Sequence, residues 1–220
     1  MRVVIMQPYF FPYAGYYRLF AVADAFVIYD CVQFPRRGWV HRNKLSDVNG
    51  HDQWLTLPLV KSDRDKTRIC DLVFTCNAKT VMEEQMRRFP CLINLARKEP
   101  ELSAILTDFT ITPAQYLVRC LEWCVARLGL KCTMLMSSSL NVAENVKGQD
   151  RIIEIAKRIG GTDYINAPGG VALYDARSFE EAGLTLRFLP EYSGSYKSML
   201  ERVLMESVAD LVQEIRRNTF

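Results

Sequence analysis

Chemistry-bearing side chains crowd into one stretch, "YDCVQFPRRGWVHRNK", residues 29–44. It holds Asp30, Cys31, Gln33, Arg36, Arg37, Trp39, His41, Arg42, Asn43 and Lys44. The chain has two histidines, His41 and His51, and both fall in or near this segment. An imidazole titrates close to neutrality and can act there as a general base; a histidine in a solvated loop does nothing of the kind. Both readings of His41 stand at this point. Arg36, Arg37 and Arg42 carry planar forks that grip phosphate or carboxylate through paired hydrogen bonds, or else are merely solvated. Asp30 closes an apolar run, where it could hold an arginine, receive a ligand amine or form a structural ion pair.

Two further stretches are built for contact with a ligand. The opening "MRVVIMQPYFFPYAGYYRLF" puts six aromatics and two prolines between residues 8 and 17, directly after a short apolar run. A plain turn needs glycine, asparagine or aspartate and little else. Gln7 offers a donor and an acceptor, and Pro8 and Pro12 stiffen the loop. Tyr9, Tyr13 and Tyr16 give flat walls with polar tips, suited to stacking a sugar or a base. Core packing is the competing use, and Phe10 and Phe11, with no polar tip, belong to it. The second stretch, "NAPGGVALYD" at 166–175, has Gly169 and Gly170, which let backbone N–H groups approach an anion or simply make a tight turn. Ser137, Ser138 and Ser139 lack the flanking glycines of a nucleophile elbow. No Walker motif, paired metal-binding histidines or G-x-G-x-x-G fingerprint occurs.

These loops need strands to hold them. "RVVIM" (2–6) and "AFVIY" (25–29) read as buried strands with a helix over 14–23 between them, hence as parallel neighbours. "QWLTLPLV" (53–60) alternates like a strand near a sheet edge, given its proline. Residues 61–112 change character, with a charged turn and short helices, "NAKTVMEEQMRRF" and "PELSAILTDF", which suggests a helical insertion or cap. Thr112, Pro113 and Gly129 bracket the next helix. "KCTMLM" (131–136), "DYINA" (163–167) and "LTLRFL" (184–189) read as further strands, with helices at "QDRIIEIAKRIGG" and "RSFEEAG" and an amphipathic tail over 196–217. The expected fold is α/β, an open, mostly parallel sheet flanked by helices, in one domain over 1–220. Ligands then gather beyond the carboxyl ends of the strands.

Composition narrows the function. The 220 residues are 49% hydrophobic and 24% charged, as in ordinary globular chains. No apolar run approaches the roughly 20 residues that span a bilayer, and no signal-peptide pattern opens the chain, so a cytoplasmic protein is expected. Net charge +3 without a basic tract argues against nucleic acid. Seven cysteines, an odd number with no C-x-x-C, read as reduced thiols. Cys120 and Cys124 fall with Leu117, Leu121 and Leu128 on one helical face and are expected in the core. No metal site is expected.

"MQPYFFPYAGYYRLF", "ADAFVIYDCVQFPRRGWVHRNKL" and "WLTLPL", with "KGQDRIIEIAKRIGGTDYINAPGGVALYDARSFEEAGLTLRFL", resemble the WbqC-like family over most of the chain. Cys31 stands where that family often has an acidic residue, and Tyr13 where tryptophan is common. The resemblance implies a role in bacterial surface polysaccharide or O-antigen biosynthesis. A looser likeness, strand, P-x-x-G-Y, helix, strand and "VQF", is to HIGH-type nucleotidyltransferases, so the fold is expected to be distantly nucleotidyltransferase-like. Pro12 or Tyr13, and Tyr16, stand where those enzymes have phosphate-handling histidines.

The expected activity is transfer of an acyl or aminoacyl group from a thioester, on coenzyme A or an acyl carrier protein, to the amine of a nucleotide-linked amino sugar. Asp30 or His41 would take the amine's proton. Arg36, Arg37 and Arg42 would bind phosphates, and Gln7, Gln33, Asn43, Trp39, the three tyrosines, Gly169 and Gly170 would line the substrate. No tightly bound cofactor is expected. An ATP-dependent ligase or nucleotidyltransferase, and a non-catalytic sugar-nucleotide-binding protein, are the alternatives.

Overall fold

In the computed structural model, residues 1–35, 37–61, 63, 66–217 and 219 are described. Five strands form a parallel sheet in the order β5-β2-β1-β6-β7. They are β1 (Arg2–Met6), β2 (Ala25–Ile28), β5 (Thr133–Met136), β6 (Asp163–Asn166) and β7 (Thr185–Phe188). The central strands are runs of branched and aromatic residues because both of their faces are covered. Val4, Phe26 and Ile28 pack into one apolar cluster with α1 (Ala14–Val22) and α5 (Pro113–Arg127). Val3, Ile5 and Val27 pack on the other face with Ile152, Ile155 and Ala156 of α6 (Gly148–Arg158) and Phe179 of α7 (Ala176–Glu181). The expected α/β architecture with a parallel sheet between helices is what the chain adopts.

Helix α5 is bounded as its sequence indicates. Thr112 and Gln115 make a reciprocal capping box, and Gly129 takes the left-handed conformation, φ 61°, just beyond the end. Leu117, Cys120, Leu121, Cys124 and Leu128 are all buried. Burial pushes the Cys124 thiol up to about 12 and raises Cys120 as well. The seven cysteines are free thiols.

Residues 42–56 depart from the sequence reading. Instead of a loop followed by a strand over 53–60, β3 (Arg42–Ser46) and β4 (Asp52–Thr56) form a separate antiparallel ribbon. Strand β3, "RNKLS", buries only Asn43 and Leu45, so no apolar run announces it. Pro58 lies beyond β4 rather than in an edge strand, and the next pairing is an isolated bridge from Leu59 to Phe74. Helices α2 (Ala78–Met86), α3 (Leu95–Lys98) and α4 (Pro100–Thr107) follow, with α2 against β4 and α4 against α5. The tail is two helices, α8 (Met199–Met205) and α9 (Val208–Arg217), with α9 on α1. Among the described residues, no helix is long and apolar enough to cross a membrane.

Candidate functional site

Strand order reverses between β1 and β6, and in open parallel sheets that reversal opens a ligand crevice at the carboxyl ends. The loop after β1 and the Pro168–Gly170 turn after β6 flank it. The first loop is tightly braced. Tyr16 is buried and its hydroxyl donates to the Gln7 carbonyl at 2.8 Å. Phe10 and Phe11 are fully buried, as expected of aromatics without a polar tip. Phe11 holds a positive φ of 46°, a conformation that costs a bulky residue and needs support. The support comes from Asn43, whose Nδ2 donates to the carbonyls of Phe10 (2.9 Å) and Phe11 (2.7 Å). Ser198 Oγ at 3.0 Å and the Met199 N–H at 3.2 Å donate to the same Phe11 carbonyl. Tyr9 and Tyr13 are half-buried: Tyr9 leans on Tyr16, and Tyr13 on Tyr192 and Tyr196.

The β3–β4 ribbon is joined to this loop, since Phe10 N–H donates to the Trp39 carbonyl at 2.9 Å. The Trp39 ring is 45% exposed and lies 5.4 Å from the Trp54 ring. The Arg42 guanidinium stacks 4.2 Å over Trp54, and the Lys44 ammonium is 5.5 Å from the same ring. Arg42 also donates to the carbonyls of Arg37 (3.2 Å) and Gly38 (3.5 Å), which fixes the turn before it. The product is a solvent-facing surface of indole and guanidinium. Arg37 is exposed, and Arg36 lies outside the described residues. His41 is half-buried with its ring edge-on to Phe34, and its Nδ1 has no partner among the described residues. Burial, and then Arg42, push its pKa down to about 4, so the ring is neutral at pH 7.

A second centre forms where β2 and β5 end side by side. Asp30 is fully buried. Its carboxylate accepts from Ser137 Oγ (2.8 Å), Ser138 N–H (2.9 Å) and Ser138 Oγ (2.6 Å). The Asp30 N–H donates back to Ser137 Oγ at 3.1 Å. The serines after β5 thus clamp the end of β2 and enclose the Asp30 carboxylate among their hydroxyls. Beside the clamp, Cys31 Sγ lies 3.0 Å from Ser137 Oγ and 3.3 Å from Arg151 Nη2 on α6. An open cavity of about 650 Å3 begins here, with Tyr29, Cys31 and Gln33 on one side and Lys66, Arg68, Lys147 and Arg151 on others. Of the expected substrate contacts Gln33 lines this cavity, whereas Trp39 and Arg42 belong to the ribbon surface.

The glycines after β6 behave differently from one another. Gly169 is exposed with open space around its Cα, while Gly170 is buried against the Asn166 side chain. Arg151 and Trp54 carry no site signal in their sequence context, Arg151 being one cation on an amphipathic helix. Ser137 and Ser138, hydroxyls at a strand end that read equally as ligand contacts or as caps of the next turn, are here hydrogen-bonded to Asp30.

The sequence model of the WbqC-like protein family matches residues 7–213. An uncharacterized protein of Mycobacterium tuberculosis, Rv1507c, is 25% identical over 203 residues, which is 90% of this chain and 86% of that protein. No solved structure matches the chain.

Proposed function

The chain belongs to the WbqC-like protein family, and we propose that it forms an amide on the amino group of a nucleotide-linked amino sugar, taking the acyl or aminoacyl group from a thioester of coenzyme A or of a carrier protein. The observation that carries the reading is the ribbon surface of Trp39, Trp54 and Arg42, joined by hydrogen bonds to the loop at the strand-order reversal. Indole faces stack on sugars and bases, and guanidinium groups bind phosphate, so this surface matches the two halves of a nucleotide sugar. Tyr9 and Tyr13 extend the wall, Gln7 and Gln33 orient polar groups, and the Gly169–Gly170 turn meets an anion through its backbone. Arg37 adds charge to the turn before Arg42, and Arg36, also expected to bind phosphate, lies outside the described residues. Asn43 serves by holding the first loop in shape.

Amide formation requires that the attacking amine lose a proton. Asp30 receives it through the hydroxyl of Ser137 or Ser138, because its own oxygens are enclosed. His41 stays neutral and keeps Nδ1 unpaired among the described residues, which suits a second proton acceptor, though a weak one with a pKa of about 4. Alignment of amine and thioester supplies much of the rate.

The test is a mass-spectrometric assay of the purified protein with a panel of nucleotide-linked amino sugars and acyl thioesters, with and without ATP. An amide product formed without ATP is expected. A product that requires ATP would replace this reading with a ligase. Tight binding of one panel member without any product would replace it with a binding protein.

A further inference from the structure

The cavity at the end of β2 has a nucleophile in its wall, fixed positive charge around it and a path for a proton. We propose that it is the site of the thioester donor, and that the donor's acyl group passes first to Cys31 before the amine receives it. This rests on the acyl-transfer reading and adds to it a covalent intermediate, a donor site and a division between donor and acceptor regions.

The volume of about 650 Å3 suits a small ligand arm rather than a single ion. Lys66, Arg68, Lys147 and Arg151 outnumber Asp71 and Glu144 along its walls. Arg68 pairs with both acids, at 2.7 Å and 3.2 Å, which leaves the net charge of the walls positive. A donor carried on phosphopantetheine brings a phosphate and a long flexible arm ending in sulfur. Coenzyme A and an acylated carrier protein share that chemistry.

At the inner end, the Arg151 guanidinium is held by the backbone carbonyls of Ala143 (2.9 Å) and Val146 (3.0 Å) and faces Cys31 Sγ at 3.3 Å. Negative charge developing on sulfur meets a fixed cation there. Arg151 Nε–H is buried and has no partner among the described residues, a donor the fold leaves unspent. On the other side stands Ser137 Oγ, 3.0 Å from Sγ; its single hydroxyl proton goes to Asp30, and its oxygen accepts from the backbone N–H groups of Asp30 (3.1 Å) and, at longer range, Cys31 (3.3 Å). As Sγ attacks the donor carbonyl, its proton moves to Ser137, whose oxygen gives up the long bond from the Cys31 N–H, and Ser137 passes its own proton to Asp30. A bond forms from the acyl carbon to Sγ, the bond to the donor sulfur breaks, and the donor leaves as a thiol carrying the returned proton. The amine then attacks acyl-Cys31, the C–N bond forms, the C–Sγ bond breaks, and the thiol of Cys31 recovers a proton from the amine. One thioester replaces another, and no oxidant, reductant or nucleotide is consumed.

Intact-mass and peptide mass spectrometry of the wild-type protein test this directly. The probes are acyl-coenzyme A, an acylated carrier protein and the phosphate-free acyl-N-acetylcysteamine, each without acceptor. The expected result is one acyl group on Cys31, released by hydroxylamine at neutral pH, and no adduct in Cys31→Ala. Lys147→Ala is expected to raise the donor concentration that half-saturates the acylation rate for the two phosphopantetheine donors and leave that for acyl-N-acetylcysteamine unchanged. Ser137→Ala is expected to slow acylation by about 10²-fold or more while amide formation from pre-acylated protein still proceeds. Acylation on exposed Cys76 rather than Cys31 would overturn the proposal, as would a wild-type protein that gives no adduct from any donor. If, in that last case, amide product still forms once the nucleotide-linked amino sugar is added, direct transfer stands and only the covalent step falls; if none forms, the transferase reading falls with it.

Discussion

A half-buried imidazole beside a guanidinium resists protonation, and this couples stability to pH at His41. Below about pH 6.5 the unfolded chain takes up a proton at this ring, whereas the folded chain does so only near pH 4. The unfolded state binds more protons across that window, so the contribution is complete above it and is lost as pH falls through it. Solvent reaches part of the ring, which limits the effect to on the order of 1–2 kcal/mol. Urea unfolding at about pH 7 and about pH 4.5 should show the wild type losing more stability than His41→Gln, and equal losses would contradict the burial argument. Asn43 gives a sharper residue-scale expectation. Asn43→Ala removes two buried hydrogen bonds that hold Phe11 at positive φ and should cost about 1–3 kcal/mol. A urea midpoint unchanged by that substitution would mean that Ser198 and the core hold the loop without it.

At the scale of elements, the loops at the strand ends are only as well placed as the turns that make them. Gly170 is hemmed in: an added Cβ would come within 2.6 Å of Asn166 Nδ2, and Asn166 is 5% exposed. Its Oδ1 is already engaged by the Ala167 N–H at 2.7 Å. Gly170→Ala must displace that side chain and should cost about 1–3 kcal/mol, while Gly169→Ala, with nothing within 4 Å, should stay within about 0.5 kcal/mol of wild type. Thermal unfolding of the two variants side by side checks the contrast, and similar losses at both positions would refute it. The strands carrying these loops were legible because burial on both faces leaves continuous apolar runs such as "VVI" and "FVI". Strand β3 was not, since a two-stranded ribbon buries every second residue and "RNKLS" offers one aliphatic side chain. The end of β4 was misplaced for a related reason: "LTLPLV" goes on alternating past Thr56, but Leu57 is held by the His41 carbonyl rather than by a strand partner.

At the scale of the whole molecule, the candidate site depends on contacts that no local window contains. Asp30 meets Ser137 across 107 positions, and Cys31 meets Arg151 across 120. Each residue could be noticed alone, yet their proximity follows from the placing of β2 beside β5 and from α6 crossing that end of the sheet. The C-terminal helices show the same dependence in a region without evident chemistry. Met199 N–H and Ser198 Oγ donate to the Phe11 carbonyl, so α8 closes the first loop from behind. Its own position is set by Arg202, a buried cation that reaches Glu206 and Glu214 at 2.7 Å each and thereby ties α8 to α9. Tyr192 donates to the same Glu214. Arg202, above all, and then Tyr192 hold the Glu214 carboxyl below its usual range. That stabilisation is present above about pH 4.5 and lost as pH falls through the lowered value. Arg202→Met keeps the stem but strands two carboxylates, one of them largely enclosed, and should cost about 1–3 kcal/mol. It should also speed proteolysis within residues 7–13, because the loop loses its backing. A variant with lower stability but unchanged cleavage there would show that α8 and the first loop are not coupled. A variant with neither change would show that Leu211 and Ile215 dock the tail by apolar packing alone.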